Sequence, residues 1–129
     1  MGSGASEQKT VLVVDDYDEV REVTRRALES FGYRVLEASS GPEAVRVAQA
    51  GSPDLILMDL SMPAMDGFAT IHHIRRLLGL RDVPVIAVSA HTAREVREDA
   101  IAAGCRDFIT KPVRIEKLRS AVERYLTKA

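Results

Sequence analysis

Cysteine is almost absent from this 129-residue chain: Cys105 stands alone and cannot close an internal disulfide. That excludes a disulfide-stapled fold and fits a reducing compartment, with Cys105 read as a small apolar filler. An excess of either charge is also missing, since 18 Lys and Arg face 19 Asp and Glu for a formal net charge of -1. Bulk charge therefore gives no reason to expect nucleic acid or an anionic membrane as partner. Long hydrophobic runs are lacking too: no stretch approaches the ~18 residues of a membrane span, and no charged-then-apolar leader opens the chain. Repeats and low-complexity blocks are absent, and no DNA-binding motif follows the last helical segment. The expectation is a soluble cytoplasmic protein acting away from nucleic acid and membrane. The length suits one domain, long enough to bury roughly two thirds of its unfolded surface without staples. Residues 1–9, "MGSGASEQK", read as a flexible tail or cloning scar, and residues 10–129 as the folded domain.

What is present is an alternation. "TVLVV", "YRVLEA", "DLILM", "VPVIAV" and "DFIT" are short apolar runs of strand type. Between them lie segments of helical period. Val20, Val23, Ala27, Leu28 and Phe31 define the first helix, with Gly32 as its C-terminal stop. Ser40 and Glu43 have capping-box spacing, and the second helix runs from there to Gly51 with Ala44, Val45 and Ala48 as a small buried stripe. The third starts at Asp66, an N-cap, and carries Phe68, Ile71, Ile74 and Leu78 on one face. The fourth opens with Thr92 and Glu95, again at capping-box spacing, and runs to Gly104. Its stripe of Val96, Ala100 and Ala103 is thin, which predicts the least firmly anchored helix. The fifth repeats Ile115, Leu118, Val122 and Tyr125. Strand-helix alternation with strands apolar on both faces predicts an α/β fold, a doubly wound five-stranded parallel sheet with helices on both faces.

Such sheets bind ligands at the carboxyl ends of their strands. Here those ends carry Asp15 and Asp16 after the first strand, Asp59 at the third, Ser89 at the fourth, and Lys111 followed by Pro112 at the fifth. Parallel strands place all of them on one edge. Three carboxylates make an oxygen-rich site for a hard divalent cation such as Mg²⁺, which favours phosphate oxygens as further ligands. Lys111 and Ser89 supply donors for a phosphoryl group, and a carboxylate beside the metal can attack phosphorus to give an acyl phosphate.

With "VDD", "LILMDLSMPAMDG", "VSA" and "DFITKP" in this order and spacing, the chain resembles, across residues 10–127, the receiver domain of two-component response regulators, of the chemotaxis-regulator kind. The resemblance implies a flavodoxin-like strand order 2-1-3-4-5 and a receiver domain over residues 10–129. It further implies phosphoryl transfer to Asp59 from a histidine kinase or a histidine phosphotransfer protein. Mg²⁺, with Mn²⁺ as a substitute, would be held by Asp16, Asp59 and the backbone carbonyl of Ser61, with Asp15 acting mainly through water. Lys111 would pair with the phosphoryl group, Ser89 would turn toward it, and Phe108 would fill the aromatic switch position. Ser61 and His91 sit where phosphoryl lifetime is set, and the Lys111–Pro112 peptide is cis in similar proteins. Such a protein is no ordinary enzyme, but it catalyses its own phosphorylation and dephosphorylation at Asp59. Output would pass to a downstream protein or a second copy through the face of the fourth helix, fifth strand and fifth helix. Ser89 stands where threonine is frequent, and Phe108 where tyrosine is frequent.

Taken singly, each strand-end residue is better read as a turn, cap or solvated charge. Their coincidence on one edge is what that reading does not explain. Asp66 serves as a cap and Asp54 as a strand-start residue. His72 and His73, on adjacent helix positions about 100° apart, do not form a pair, and "REVREDA" is a solvated helix face. A phosphatase of the haloacid-dehalogenase type shares an Asp nucleophile, Mg²⁺, a hydroxyl and a lysine, but its D-x-D pattern would need an acid where this chain has Tyr17. A phosphate sink or pseudo-receiver without regulated output is the other alternative, although neither an acid nor the lysine is missing.

Overall fold

The computed structural model describes residues 8–61, 67–77, 79–90 and 94–126. The bulk of the proposed tail, the Asp66 cap, Leu78, His91 and the Thr92–Glu95 box fall outside the described residues and side chains. Strands β1 (Thr10–Val14), β2 (Arg34–Ala38), β3 (Leu55–Asp59), β4 (Val85–Ser89) and β5 (Asp107–Thr110) alternate with helices. These are α1 (Asp18–Ser30), α2 (Gly41–Gly51), α3 (Gly67–Arg75), α4 (Arg94–Ala102) and α5 (Ile115–Leu126). The strands form one parallel sheet in the order β2-β1-β3-β4-β5.

The inner strands β1, β3 and β4 are buried along their whole length, as their unbroken apolar runs require. Side chains alternate between two cores. Leu12, Ile56 and Met58 meet Ala44 and Ala48 of α2, Ile71 and Ile74 of α3, and Ala100 of α4. Val11, Val13, Leu55 and Leu57 meet Leu28 of α1 and Leu118 and Val122 of α5. Each fully buried aliphatic side chain contributes about 1.5–3 kcal/mol relative to exposure. Cys105 fills space in the first core, and burial pushes its thiol up to about 11.

Local signals act largely as the sequence suggests. Gly32 follows α1 at φ 100, a left-handed geometry that a side chain would strain. The Ser40 side chain accepts from the Glu43 N–H at 3.2 Å. The return half of the box shifts by one residue: Glu43 Oε1 accepts from Ser39 N (2.7 Å) and Ser39 Oγ (2.9 Å), two donors in place of one. The helix α3 ends at Arg75, before Leu78, because the chain tightens there through bonds of Arg76 N to His73 O and Leu77 N to Ile74 O. The guanidinium of Arg75 secures the following loop by donating to the carbonyls of Leu80, Arg81, Val83 and Gly104.

Among the described residues, three of those in the predicted apolar stripes do not bury. Val20 and Val23 of α1 are 45% and 63% exposed, and Ile115 of α5 is 50% exposed. The second half of α1, through Ala27, Leu28 and Phe31, packs on the sheet. Its first half flanks a cavity of about 620 Å³ that Val113 and Leu118 wall on the other side. On α4, Ala100 is buried and Ile101 is 58% exposed, and Ala103 is buried just past the helix end, so the stripe is thin.

Candidate functional site

The strand order reverses next to β1: the chain first crosses to β2 on one side, then to β3 on the other. The crevice between the β1 and β3 ends is therefore where a ligand fits this architecture. Asp15 and Asp16 follow β1, and Asp59 is the last residue of β3. Carboxylate oxygens of the three lie within 4.8 Å of one another.

Each acid is held differently. Asp59, 3% exposed, accepts from Ser61 N through Oδ1 at 2.8 Å and from Lys111 Nζ through Oδ2 at 3.0 Å. Lys111 reaches it because β5 pairs with β4 and the Lys111 N–H extends that ladder to the Ser89 carbonyl at 2.8 Å. The peptide that follows, Lys111–Pro112, is cis. Asp15 accepts from Tyr17 N through Oδ1 at 2.9 Å. Burial raises its pKa above the ordinary carboxylate value, opposed by that bond and reinforced by Asp59. Asp16 Oδ1 and Ser61 Oγ are buried with no hydrogen-bond partner among the described residues. A buried carboxylate oxygen without a donor, beside two further carboxylates, fits a hard divalent cation. The donor set is oxygen alone, which suits Mg²⁺ or Mn²⁺ over softer metals.

Ser89 closes β4 at 1% exposure, two strands from Asp15 and next to the Asp59 strand. Phe108, half-buried on β5 opposite Ala87, packs against the core that holds α4. The edge thus assembles Asp15, Asp16, Asp59, Ser61, Ser89 and Lys111, with Phe108 behind it. His72 and His73 are exposed on α3, and Asp54 only ties down β1 by accepting from Thr10 N at 2.8 Å.

Two features escaped the sequence reading. The apolar cavity opens beside Asp59, with exposed Val20 and Val23 along its rim; a helical stripe is normally core, so nothing in the pattern marked these positions as uncovered. Arg21 reaches back from α1 to the Asp15 carbonyl. Its signal was a cation in the first turn of a helix, where acids are favoured.

The buried, raised Asp15 carboxyl has a consequence for stability. A folded-state pKa above the unfolded value means its charged form is tolerated less in the fold, so its contribution is most favourable at acid pH and diminishes as pH rises through the folded pKa. Asp15→Asn keeps the acceptor for Tyr17 N and removes the charge. It is expected to raise the thermal midpoint of the metal-free protein at neutral pH by a few degrees, with the gain vanishing at low pH. Thermal scans at the two pH values check this, and an equal or lower midpoint at neutral pH would contradict it.

Residues 11–123 match the family described as the response regulator receiver domain. The polar-differentiation response regulator DivK of Brucella ovis is 32% identical over 118 residues, covering 92% of this chain and 96% of that protein. The chemotaxis protein CheY4 of Vibrio cholerae superposes with a TM-score of 0.88 at 30% identity, over 92% of this chain and 99% of that one. The receiver domain of sensor histidine kinase PA1611 from Pseudomonas aeruginosa, whose structure has a magnesium ion coordinated in the active site cleft, gives 0.85 at 33% identity, over 94% and 99%. With its sheet order, its acidic crevice and the match over almost its whole length, this chain belongs to the response regulator receiver domain family.

Proposed function

We propose that the protein accepts a phosphoryl group on Asp59 from a phosphohistidine donor, in a Mg²⁺-dependent reaction, and that the loaded state alters a protein-binding surface. The observation that carries this is the convergence of three carboxylates within 4.8 Å, one of them 3.0 Å from the Lys111 ammonium. Asp16, Asp59 and the Ser61 carbonyl would hold the cation directly, with Asp15 bound through water. Bound there, Mg²⁺ supplies charge neutralisation for the approaching phosphoryl oxygens. Asp59 attacks phosphorus through a carboxylate oxygen, the bond from phosphorus to the donor imidazole nitrogen breaks, and that nitrogen leaves with its electron pair. Lys111 lets go of the carboxylate oxygen and pairs with a phosphoryl oxygen, and the Ser89 hydroxyl donates to another. Ser61 and His91 would tune how long the acyl phosphate survives water.

The donor would be a histidine kinase or a histidine phosphotransfer protein. The apolar rim beside Asp59 suits it, because a partner seated on Val20 and Val23 would exclude water from the transferring group. Val20→Glu together with Val23→Glu is expected to slow transfer from a protein donor at least tenfold and leave loading by acetyl phosphate unchanged. Rapid-quench assays with both donors decide it; equal slowing of the two would contradict a docking role.

Downstream, a protein or a second copy would bind the face of α4, β5 and α5. Support comes from exposed Ile101 and from the small side chains by which α4 is anchored, since both make a repacking of that helix inexpensive. Ser89 moving toward the phosphoryl group and Phe108 turning inward would link site to face. The overall reading is tested by intact-mass analysis after incubation with acetyl phosphate: one phosphoryl group per chain with Mg²⁺ or Mn²⁺, and none after chelation. Loading that ignores the metal would overturn it.

A further inference from the structure

Three acids gathered at a crevice repel one another, so the loop that carries two of them must be held in place when no cation is bound. The backbone of that loop is fixed before and after Asp15 by its own neighbours. Asp15 N donates to Ala38 O at 3.1 Å, and Tyr17 N donates to Asp15 Oδ1 at 2.9 Å. The Asp15 carbonyl, which sets the plane of the Asp15–Asp16 peptide and hence the direction of the Asp16 side chain, is fixed from outside. Arg21 Nη1 donates to it at 2.7 Å.

The other two nitrogens of the guanidinium are engaged as well. Nη2 donates to Asp18 Oδ1 at 2.7 Å and Nε to Glu37 Oε1 at 3.0 Å. Glu37 lies on the edge strand β2, and its other oxygen is 3.2 Å from Arg25 Nε. The Arg21 side chain is only 15% exposed, which distinguishes it from the loose surface pairs along α1. Its location is otherwise unfavourable, since a cation near a helix N-terminus opposes the helix dipole. The planar fork explains why arginine is placed there: three acceptors from the acidic loop, the helix start and the neighbouring strand are bound by one rigid group.

We infer that Arg21 is a positioning residue, with Glu37 as its orienting partner, that presets the Asp15–Asp16 peptide for divalent-cation binding and so for phosphoryl acceptance. This rests on the Mg²⁺-dependent reading above. It touches neither the metal nor the phosphoryl group and acts through the carbonyl of Asp15. Residues that orient metal ligands without touching the metal commonly set affinity by 10–100-fold.

The sign of the effect separates position from charge. A guanidinium acting only through its field repels a dication, so its loss would tighten Mg²⁺ binding; a positional role predicts the reverse. Calorimetric titration of Mg²⁺ into wild type, Arg21→Ala and Arg21→Lys, well below their unfolding midpoints, reads this directly. The expected result is binding weakened by about tenfold in both variants, because lysine keeps the charge and loses the fork. A similar, about tenfold slower acetyl phosphate loading at limiting Mg²⁺, restored at saturating Mg²⁺, should accompany it. Unchanged or tighter binding in a folded variant overturns the inference, and Arg21→Lys supplies that reading should Arg21→Ala fail to fold. Absence of Mg²⁺ binding by the wild type would instead overturn the functional reading on which the inference stands.

Discussion

Asp59→Asn is expected to take up no phosphoryl group from any donor, the largest effect that a single substitution should have on this protein. Asparagine preserves the shape of the side chain, and its carbonyl oxygen can still accept from Ser61 N, as Asp59 Oδ1 does at 2.8 Å. What it removes is the anionic oxygen that attacks phosphorus. The amide nitrogen would also face the Lys111 ammonium, which now donates to Asp59 Oδ2 at 3.0 Å, so two donors would oppose each other and the lysine would turn away. The variant should fold, because the strand that carries it is buried by apolar neighbours on both faces. Intact-mass analysis beside the wild type decides it: equal labelling would remove Asp59 from the role of acceptor.

Lys111→Ala should separate loading from response. Lysine does not attack phosphorus; it stabilises phosphoryl oxygens and connects them to β5 through its own backbone, whose N–H is bound to the Ser89 carbonyl at 2.8 Å. Loading should therefore persist at a lower rate, while the change in α4 and the Phe108 segment is lost. The metal-free variant should also be less stable than wild type, since an almost wholly buried Asp59 would lose its cation. NMR spectra with beryllofluoride as phosphoryl mimic check the first point. Normal shifts in α4 and around Phe108 would contradict the role given to Lys111. If wild type itself responds only in the loops of Asp59, Ser89 and Lys111, the protein is a phosphate sink with no switched face.

The sheet was legible because its inner strands are unbroken apolar runs and each ends in a polar residue, so that topology alone collected Asp15, Asp16, Asp59, Ser89 and Lys111 on one edge. The caps at Ser40 and Gly32 were legible for the same reason: each rests on contacts within a few residues. What escaped depends on distance in sequence. Val20, Val23 and Ile115 have the period of core positions, yet Val20 and Val23 border the cavity walled by Val113 and Leu118, and Ile115 lies exposed at the start of α5. The loop after α3 is held by Arg75 binding carbonyls as far away as Gly104, and the Arg21 that holds the acidic loop is itself held by Glu37 of the strand β2. Periodicity carries no record of such long-range partners.

The central claim is that phosphorus becomes bonded to the Asp59 carboxylate. Borohydride reduces an acyl phosphate to the alcohol, so an aspartyl phosphate at this position is converted to homoserine and marked permanently. Protein loaded with acetyl phosphate in Mg²⁺, reduced, digested and sequenced by mass spectrometry should carry homoserine at residue 59 and at no other aspartate, with none after chelation of the metal. Homoserine at Asp15 or Asp16, or a borohydride-resistant phosphate on Ser61 or Ser89 with residue 59 unaltered, would contradict it.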